Sequence, residues 1–314
     1  MDTAWLLDLQ VLAKTLNFSR AAEIRNVTQP AFGRRIKSLE AWCGSTLIDR
    51  GSHRLALTEA GKVMVEAADD VLRRLERSKH ELQQVRSATA TLTVASTHAL
   101  SYTFFPGWVQ RLGSIASTMP IRLLSDNMNE CERLMLEGGA QFLLCHHHPG
   151  TATRLSESDF PMMTLSHERL VPVSRRDPDG QAIYSLPGSS SRSVPWLMFE
   201  GTSGMGRILV SALSQRSEDL HLHNVFSSHL AMVLKALALE GKGVAWIPES
   251  LAADELSPGG RLAIAGSLDW AVPVQVALFR TLRPLPDMAE RFWQLARDKS
   301  LGQVSSVAGP VSAP

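Results

Sequence analysis

Phe18-Ser19-Arg20-Ala21-Ala22-Glu23-Ile24-Arg25-Asn26-Val27-Thr28-Gln29-Pro30-Ala31-Phe32 reads as two helices joined by a tight turn. Ser19 is the expected N-cap of the first helix, and Ala21 and Ala22 leave room for a second helix to pack closely. Asn26-Val27 forms the turn, Thr28 caps the second helix, and Pro30 falls in its first turn, where a missing N–H costs nothing. The second helix therefore starts at Gln29. At about 100° per residue, Phe32, Ile36 and Leu39 share one side, while Pro30, Gly33, Arg34 and Lys37 share the other. Arg34-Arg35-Lys37 alone would equally describe a surface helix that is merely basic. Together with the caps, the alanine pair and a hairpin tip at Gly51-Ser52-His53 flanked by Arg50 and Arg54, it has the form of a recognition helix and wing. The helix would enter the major groove of duplex DNA with Thr28 and Gln29 leading, and Arg50 and Arg54 would meet phosphates.

Composition sets the frame around this motif. The chain has 314 residues, 44% of them hydrophobic, and a net charge of +1. That length suggests two or three compact units, and no run of about 18 apolar residues predicts a membrane span. Met1-Asp2-Thr3-Ala4-Trp5 lacks a secretory start, and three scattered cysteines argue against a disulfide framework, so a cytoplasmic, nucleoid-associated protein is expected. Residues 1–60 hold eight basic and six acidic side chains, so DNA binding rests on where the bases sit rather than on net charge.

After Leu57-Thr58-Glu59-Ala60-Gly61 the chain runs to Arg86 without glycine or proline. Met64, Ala68, Val71, Leu75, Ser78, Leu82 and Val85 alternate steps of four and three, the spacing of a coiled-coil seam. A helix of this length spans roughly 40 Å and suits a homodimer or homotetramer that binds two half-sites. The same pattern also fits a helix packed on its own chain. Ser87 to Thr91 reads as a hinge. Beyond it, strands at Leu92–Ser96, Ile121–Ser125 and Phe142–Cys145 alternate with helices at Ser101–Leu112 and Asn129–Glu137. A second set follows: strands at Leu170–Val173, Trp196–Phe199, Asn224–Phe226, Val244–Ile247 and Val272–Arg280, with helices from Met205, at His229–Glu240 and at Pro286–Lys299. The alternation predicts an α/β domain with parallel pairing. Gly302 to Pro314 reads as a disordered tail.

Three segments supply hydroxyls or imidazoles beside free helix N-terminal amides: Thr97-His98-Ala99-Leu100-Ser101, Gly201-Thr202-Ser203-Gly204-Met205 and Ser227-Ser228-His229. Such places favour an anion or a small oxygen-bearing ligand, or are helix caps and nothing more. Met205 between two glycines should be accessible, or else fills core at a helix start, as do Met162 and Met163. Cys145-His146-His147-His148 has the composition of a metal site, but consecutive strand residues alternate in direction, and no second ligand cluster has zinc spacing. No metal or cofactor is expected; a thiol switch at Cys145 is the other reading of that stretch. Hydrolase, P-loop and dinucleotide motifs are absent, which argues against an enzyme, and no export signal supports a solute-binding protein.

Phe18, Ala21-Ala22, Gln29-Pro30-Ala31, Arg34, Ile36, Leu39-Glu40, Gly44, Leu47, Arg50, Leu57-Thr58 and Gly61 resemble the N-terminal domain of a LysR-type transcriptional regulator. The resemblance implies four regions. Residues 1–61 form a winged helix-turn-helix, 62–91 a linker helix and hinge, 92–300 a two-lobed effector domain shaped like a periplasmic binding protein, and 301–314 a tail. The ligand would sit in the cleft between lobes, at Thr97, His98, Ser101, Thr202, Ser203, Met205, Ser228 and His229. Three residues depart from the pattern: Gly33 for Ser, Ile48 for Phe, and Arg25 for a core Leu, so Arg25 must turn outward or find a partner. Arg25 to Phe32 followed by Arg34-Arg35-Ile36 is similar to the hypochlorite-responsive branch, which implies methionine oxidation at Met205 as trigger. His229 stands where that branch implies a second methionine. Regulation by a small organic anion is the alternative.

Overall fold

The computed structural model describes residues 2–51, 55–86, 91–113, 119–201, 203–216 and 219–307. The chain divides into two compact units, Met1–Arg86 and Ser87–Pro314. In the first, α1 (Thr3–Thr15), α2 (Phe18–Ile24) and α3 (Gln29–Cys43) pack around Leu6, Leu9, Leu12, Ala21, Phe32, Ile36 and Leu39, all fully buried. The cap of α2 is Asn17, whose side chain accepts from Arg20 N at 3.0 Å, and not Ser19. Asn26 turns the chain at φ 53°, a left-handed conformation that asparagine tolerates. Thr28 occupies the N-cap of α3 but makes no side-chain capping bond.

The two-residue strands β1 (Ile48–Asp49) and β2 (Ala56–Leu57) form the wing, paired antiparallel. Glu40 ties α3 to it: one carboxylate oxygen accepts from Leu47 N at 3.0 Å and Ile48 N at 3.2 Å. Gly61 is required by close approach, since a Cβ there would lie 2.1 Å from the Leu47 carbonyl oxygen. α4 (Glu59–Arg86) begins at Thr58, whose hydroxyl accepts from Gly61 N. The seam divides along its length. Ala68 is buried in the unit's own core with Met64 beside it, whereas Val71, Leu75 and Leu82 are 42%, 48% and 66% exposed.

The second unit is mixed rather than all-parallel. Its seven-stranded sheet is built from β3 (Leu92–Thr97), β4 (Ile121–Asp126), β5 (Phe142–His147), β6 (Met162–Arg175), β9 (Ala245–Pro248), β10 (Leu262–Ile264) and β11 (Val272–Arg280). β3 pairs parallel with β4 and β5, but β11 runs antiparallel to both β5 and β6, and β9 and β10 antiparallel to β6. Apolar alternation predicts strands, not their direction. β6, fourteen residues long, carries the chain from the first lobe to the second. There β7 (Val194–Phe199) and β8 (Leu222–Ser228) pair parallel.

The helix expected over Ser101–Leu112 is two: α5 (His98–Thr103) and α6 (Phe105–Leu112). Pro106 sits in the first turn of α6 and could not continue a helix from α5, because it lacks an N–H and its ring crowds the carbonyl one turn back. α7 (Met128–Leu136) follows β4, α8 (Gly204–Ser214) follows β7, α9 (Ala231–Leu239) follows β8, and α10 (Glu249–Leu256) follows β9. The closing helix α11 (Asp287–Val307) runs into the stretch expected to be a disordered tail, since no proline interrupts it before Pro310. Residues 308–314 and most of the hinge, 87–90, lie outside the described residues. Separate cores fill the lobes, one around Phe142, Trp108 and Phe292, the other around Trp246, Val244 and Leu234.

Candidate functional site

α3 leaves Thr28, Gln29, Pro30, Arg34 and Lys37 exposed opposite its buried stripe. Gly33 is half-buried, with open space where a side chain would stand. Arg35, expected with the basic face, keeps a partly exposed side chain while its Nη1 lies 3.4 Å from Asp8 Oδ2. The other oxygen of that fully buried carboxylate takes Arg25 Nε at 2.7 Å, which gives Arg25 its partner. A buried acid needs such pairing, so both arginines hold α2 and α3 to α1. Arg50 pairs with Glu40 at 3.2 Å and lies over the Phe18 ring at 5.2 Å, so it is anchored to α3 with part of its fork still exposed. Ser52, His53 and Arg54 lie outside the described residues.

The second candidate site is a cavity at the carboxyl ends of the strands of the second unit. Thr97 and His98 enter from the end of β3, Asp126 from β4, His146 from β5, Met205 from the start of α8, and His229 from the loop after β8. About 30 Å³ is open to the centre of a water-sized sphere. Roughly 10–15 Å³ suffices for one water, so the cavity takes a few waters or a small ion. Its polar wall is short of partners. Thr97 Oγ1 and His146 Nδ1 are buried without a hydrogen bond, and the buried Ser203 occupies the N-cap of α8 without a side-chain capping bond. The first amides of α8 have no carbonyl of their own helix to bond.

His98 Nδ1 lies 3.0 Å from Ser125 Oγ, and Ser101 donates to the same hydroxyl at 3.0 Å. Ser101 therefore lies behind the wall, linked to His98 through Ser125. The rings of His98 and His229 stand 6.0 Å apart at 45°. Burial lowers the His98 pKa and the neighbouring His229 adds to this, while Asp126 opposes it, so His98 favours its neutral form. Ser228 is corrected: its hydroxyl accepts from Leu230 N at 3.1 Å and shapes the turn before α9 instead of lining the cavity. Thr202 lies outside the described residues.

Met205 is 7% exposed, contrary to its expected accessibility, and packs within the second lobe's core. Its flanking glycines serve packing. A Cβ on Gly204 would meet the Met128 side chain at 3.1 Å, and one on Gly206 the Glu200 carbonyl oxygen at 2.4 Å. Met205 nonetheless borders the cavity, beside Met128. Asp126, Met128 and His146 were not singled out as cavity residues from the sequence. The rule that ligands meet the carboxyl ends of strands would have found them had it been applied to β4 and β5 as to β3. The Cys145-His146-His147-His148 stretch disperses: His146 binds Glu168, His147 meets Phe279 edge to face, and His148 accepts from Gly150 N. Burial pushes the Cys145 thiol well up and the Cys131 thiol up to about 12, so both stay protonated and weakly nucleophilic.

Two family models match the chain: bacterial regulatory helix-turn-helix protein, lysR family, over residues 4–62, and LysR substrate binding domain over residues 86–300. The chain belongs to the LysR family. The E. coli (strain K12) HTH-type transcriptional regulator YjiE is 31% identical to this LysR-type regulator over 299 residues, 95% of each chain. Vibrio fischeri DarR, solved with DNA, is 30% identical, with a TM-score of 0.56 over 94% of this chain and 98% of that one. Full-length HypT from Salmonella typhimurium, described as a hypochlorite-specific LysR-type regulator, is 29% identical, with a TM-score of 0.58 over 96% and 99%. This protein is thus a DNA-binding transcription regulator with an effector-binding domain, and not an enzyme. Among the described residues no helix is long and apolar enough to cross a membrane.

Proposed function

We propose that this LysR-type regulator senses a small reactive oxidant of the hypochlorite type, and that Met205 is the atom-level target. The observation that carries this reading is a thioether bordering a cavity of only about 30 Å³ whose polar wall holds the unpartnered Thr97 hydroxyl and His146 Nδ1. Hypochlorous acid would transfer its oxygen to the sulfur, two electrons would pass to chlorine, and chloride and a proton would leave. The sulfoxide is polar where the thioether packed against apolar neighbours, so it biases the lobes toward an arrangement that solvates it. Arg207, two residues on, reaches Glu132 on α7, so movement of the first turn of α8 is felt in the first lobe. Likeness to HypT supports the oxidant class, although His229 replaces the second expected methionine.

The test is peptide mass spectrometry over a hypochlorite titration. Met205 sulfoxide is expected at doses that spare Met232, although Met232 is 49% exposed and Met205 7%. Oxidation of Met232 before Met205 would mark random surface damage and end this reading. A second reading, a small organic anion held by Thr97, His98, Ser203 and His229, is favoured if Thr97→Ala abolishes a response that Met205→Leu keeps.

On the DNA side the proposed contacts are Gln29, Arg34 and Lys37 at base edges. Thr28, Pro30 and Gly33 form the backbone-approaching surface, and Arg50 and Arg54 meet phosphate. Arg34→Ala should cost roughly 1–3 kcal/mol and relax sequence preference, whereas Arg50→Ala should weaken all sequences alike and lower the salt slope by about one. Titration of operator and scrambled duplexes at several salt concentrations separates the two. The proposed assembly is a homodimer or homotetramer joined through α4, acting in the cytoplasm, where its DNA lies.

A further inference from the structure

Arg25 and Arg35 stand on either side of the turn between α2 and α3. Arg25 closes α2 one residue before Asn26, and Arg35 lies in the second turn of α3. One carboxylate takes both: Asp8 Oδ1 accepts from Arg25 Nε at 2.7 Å, and Oδ2 from Arg35 Nη1 at 3.4 Å. Asp8 is fully buried on α1, which is itself well anchored. Leu6, Leu9 and Leu12 of α1 lie in the core, and Gln10 donates to Asp69 of α4. The two halves of the helix-turn-helix are thus pinned to one point on one helix.

Stability alone does not call for this arrangement, because a buried ion triad is commonly no more stable than apolar side chains of similar volume. What the triad adds is direction. The stripe of Phe32, Ile36 and Leu39 holds α3 against the core through apolar attraction, which has no preferred angle. A guanidinium on a carboxylate has a set distance and orientation. Base readout needs that control, since a side chain that must meet a base edge has to be held to within about 0.5 Å and 10–20°. Arg34 and Lys37, exposed opposite the buried stripe, swing with any rotation of α3 about its axis.

We propose that Asp8 is a positioning residue for DNA recognition: through Arg25 and Arg35 it sets the rotation of α3 against α2, and so the discrimination between sequences, without touching DNA itself. The inference rests on α3 being the helix that reads the groove, and deepens that reading. Charge gives it a signature. Two arginines against one carboxylate leave the triad one net positive charge. Asp8→Asn raises that to two with both arginines still in place. Lost orientation weakens binding to the preferred sequence, while the added positive charge strengthens binding to any duplex.

The experiment uses the full-length protein and two duplexes, one selected by the wild type from a randomised pool and the other a scrambled version of it. Both are titrated at several salt concentrations, with circular dichroism confirming the folded state. In Asp8→Asn, affinity for the selected duplex should fall roughly tenfold, the size of one lost base contact, while affinity for the scrambled duplex holds or rises. Arg35→Leu leaves Asp8 paired to Arg25, so it serves as the deciding variant where Asp8→Asn does not fold. It should weaken the selected duplex more than the scrambled one. The two changes together should cost no more discrimination than Asp8→Asn alone, because they act through one contact. A folded Asp8→Asn protein that keeps the wild-type ratio of the two affinities overturns the proposal, whether both rise, both fall or neither moves. So does an Arg35→Leu protein that weakens both duplexes equally. Arg34→Ala separates this from the reading beneath it. If Arg34→Ala relaxes the ratio and Asp8→Asn does not, α3 reads the groove and Asp8 does not orient it; if Arg34→Ala leaves the ratio unchanged, both readings fall.

Discussion

Replacing Val71 and Leu75 together by Asp should halve the mass of the particle in solution and weaken binding to a two-half-site operator on the order of 100-fold or more. Both residues are apolar and nearly half exposed on α4, beyond Ala68, the last seam position that the unit's own core takes up. In the proposed homo-oligomer a second copy of the 28-residue helix would cover this face. An unpaired carboxylate placed there is costly to bury. Losing the second half-site removes the avidity gained by linking two sites, which ranges over about 10²–10⁴. Light scattering reads the mass and a duplex titration the affinity. An unchanged mass would move the interface to another surface of the chain.

The second large effect concerns the link between the lobes. Glu132 on α7 is fully buried and holds Arg207 of α8 at 3.4 Å, while its other oxygen accepts from Thr153 Oγ1 at 2.9 Å and Arg154 N at 3.1 Å. Arg207→Leu removes the counter-cation and strands a buried charge, which costs about 3–5 kcal/mol. The surviving hydrogen bonds put the expectation at the lower end, about 3 kcal/mol. Adding Glu132→Gln to Arg207→Leu should recover part of the loss, because the charge is gone while the amide still accepts. Urea unfolding of the wild type and the two variants measures this, and an unchanged midpoint in Arg207→Leu would show that the pair does not hold the lobes.

The helix-turn-helix was legible almost to the residue because every signal in it is local. The turn at Asn26, the start at Gln29 and the stripe of Phe32, Ile36 and Leu39 follow from caps and a 3.6-residue period. What escaped was set by contacts distant in sequence. Arg35 reaches the carboxylate of Asp8, 27 positions away and buried on α1, and no period announces a buried acid. β6 was read over four residues and spans fourteen, because its first half, paired with β11, is only partly buried and carries too few apolar residues to register. Its antiparallel neighbours arrive from the end of the chain, and strand direction leaves no trace in apolar spacing.

The cavity was half legible. Thr97, His98, Ser203, Met205 and His229 line it as the strand-end rule suggested, whereas Ser101 and Ser228 spend their hydroxyls on the backbone and on Ser125. His146 was hidden by its neighbours. Three consecutive histidines look like metal chemistry until the fold sends each to a different partner. Of the two readings of Met205, accessible or core-filling at a helix start, the structure has the second, because glycines on both sides of a residue signal close packing as often as exposure.

Transcription from the regulator's own operator, with and without hypochlorite, in wild type and Met205→Leu, tests the central claim most directly. Leucine keeps the apolar volume and cannot form a sulfoxide, so the variant should bind DNA normally and lose the oxidant response, while Met205→Gln should shift transcription without oxidant. A Met205→Leu protein that responds to hypochlorite as fully as the wild type would contradict the account.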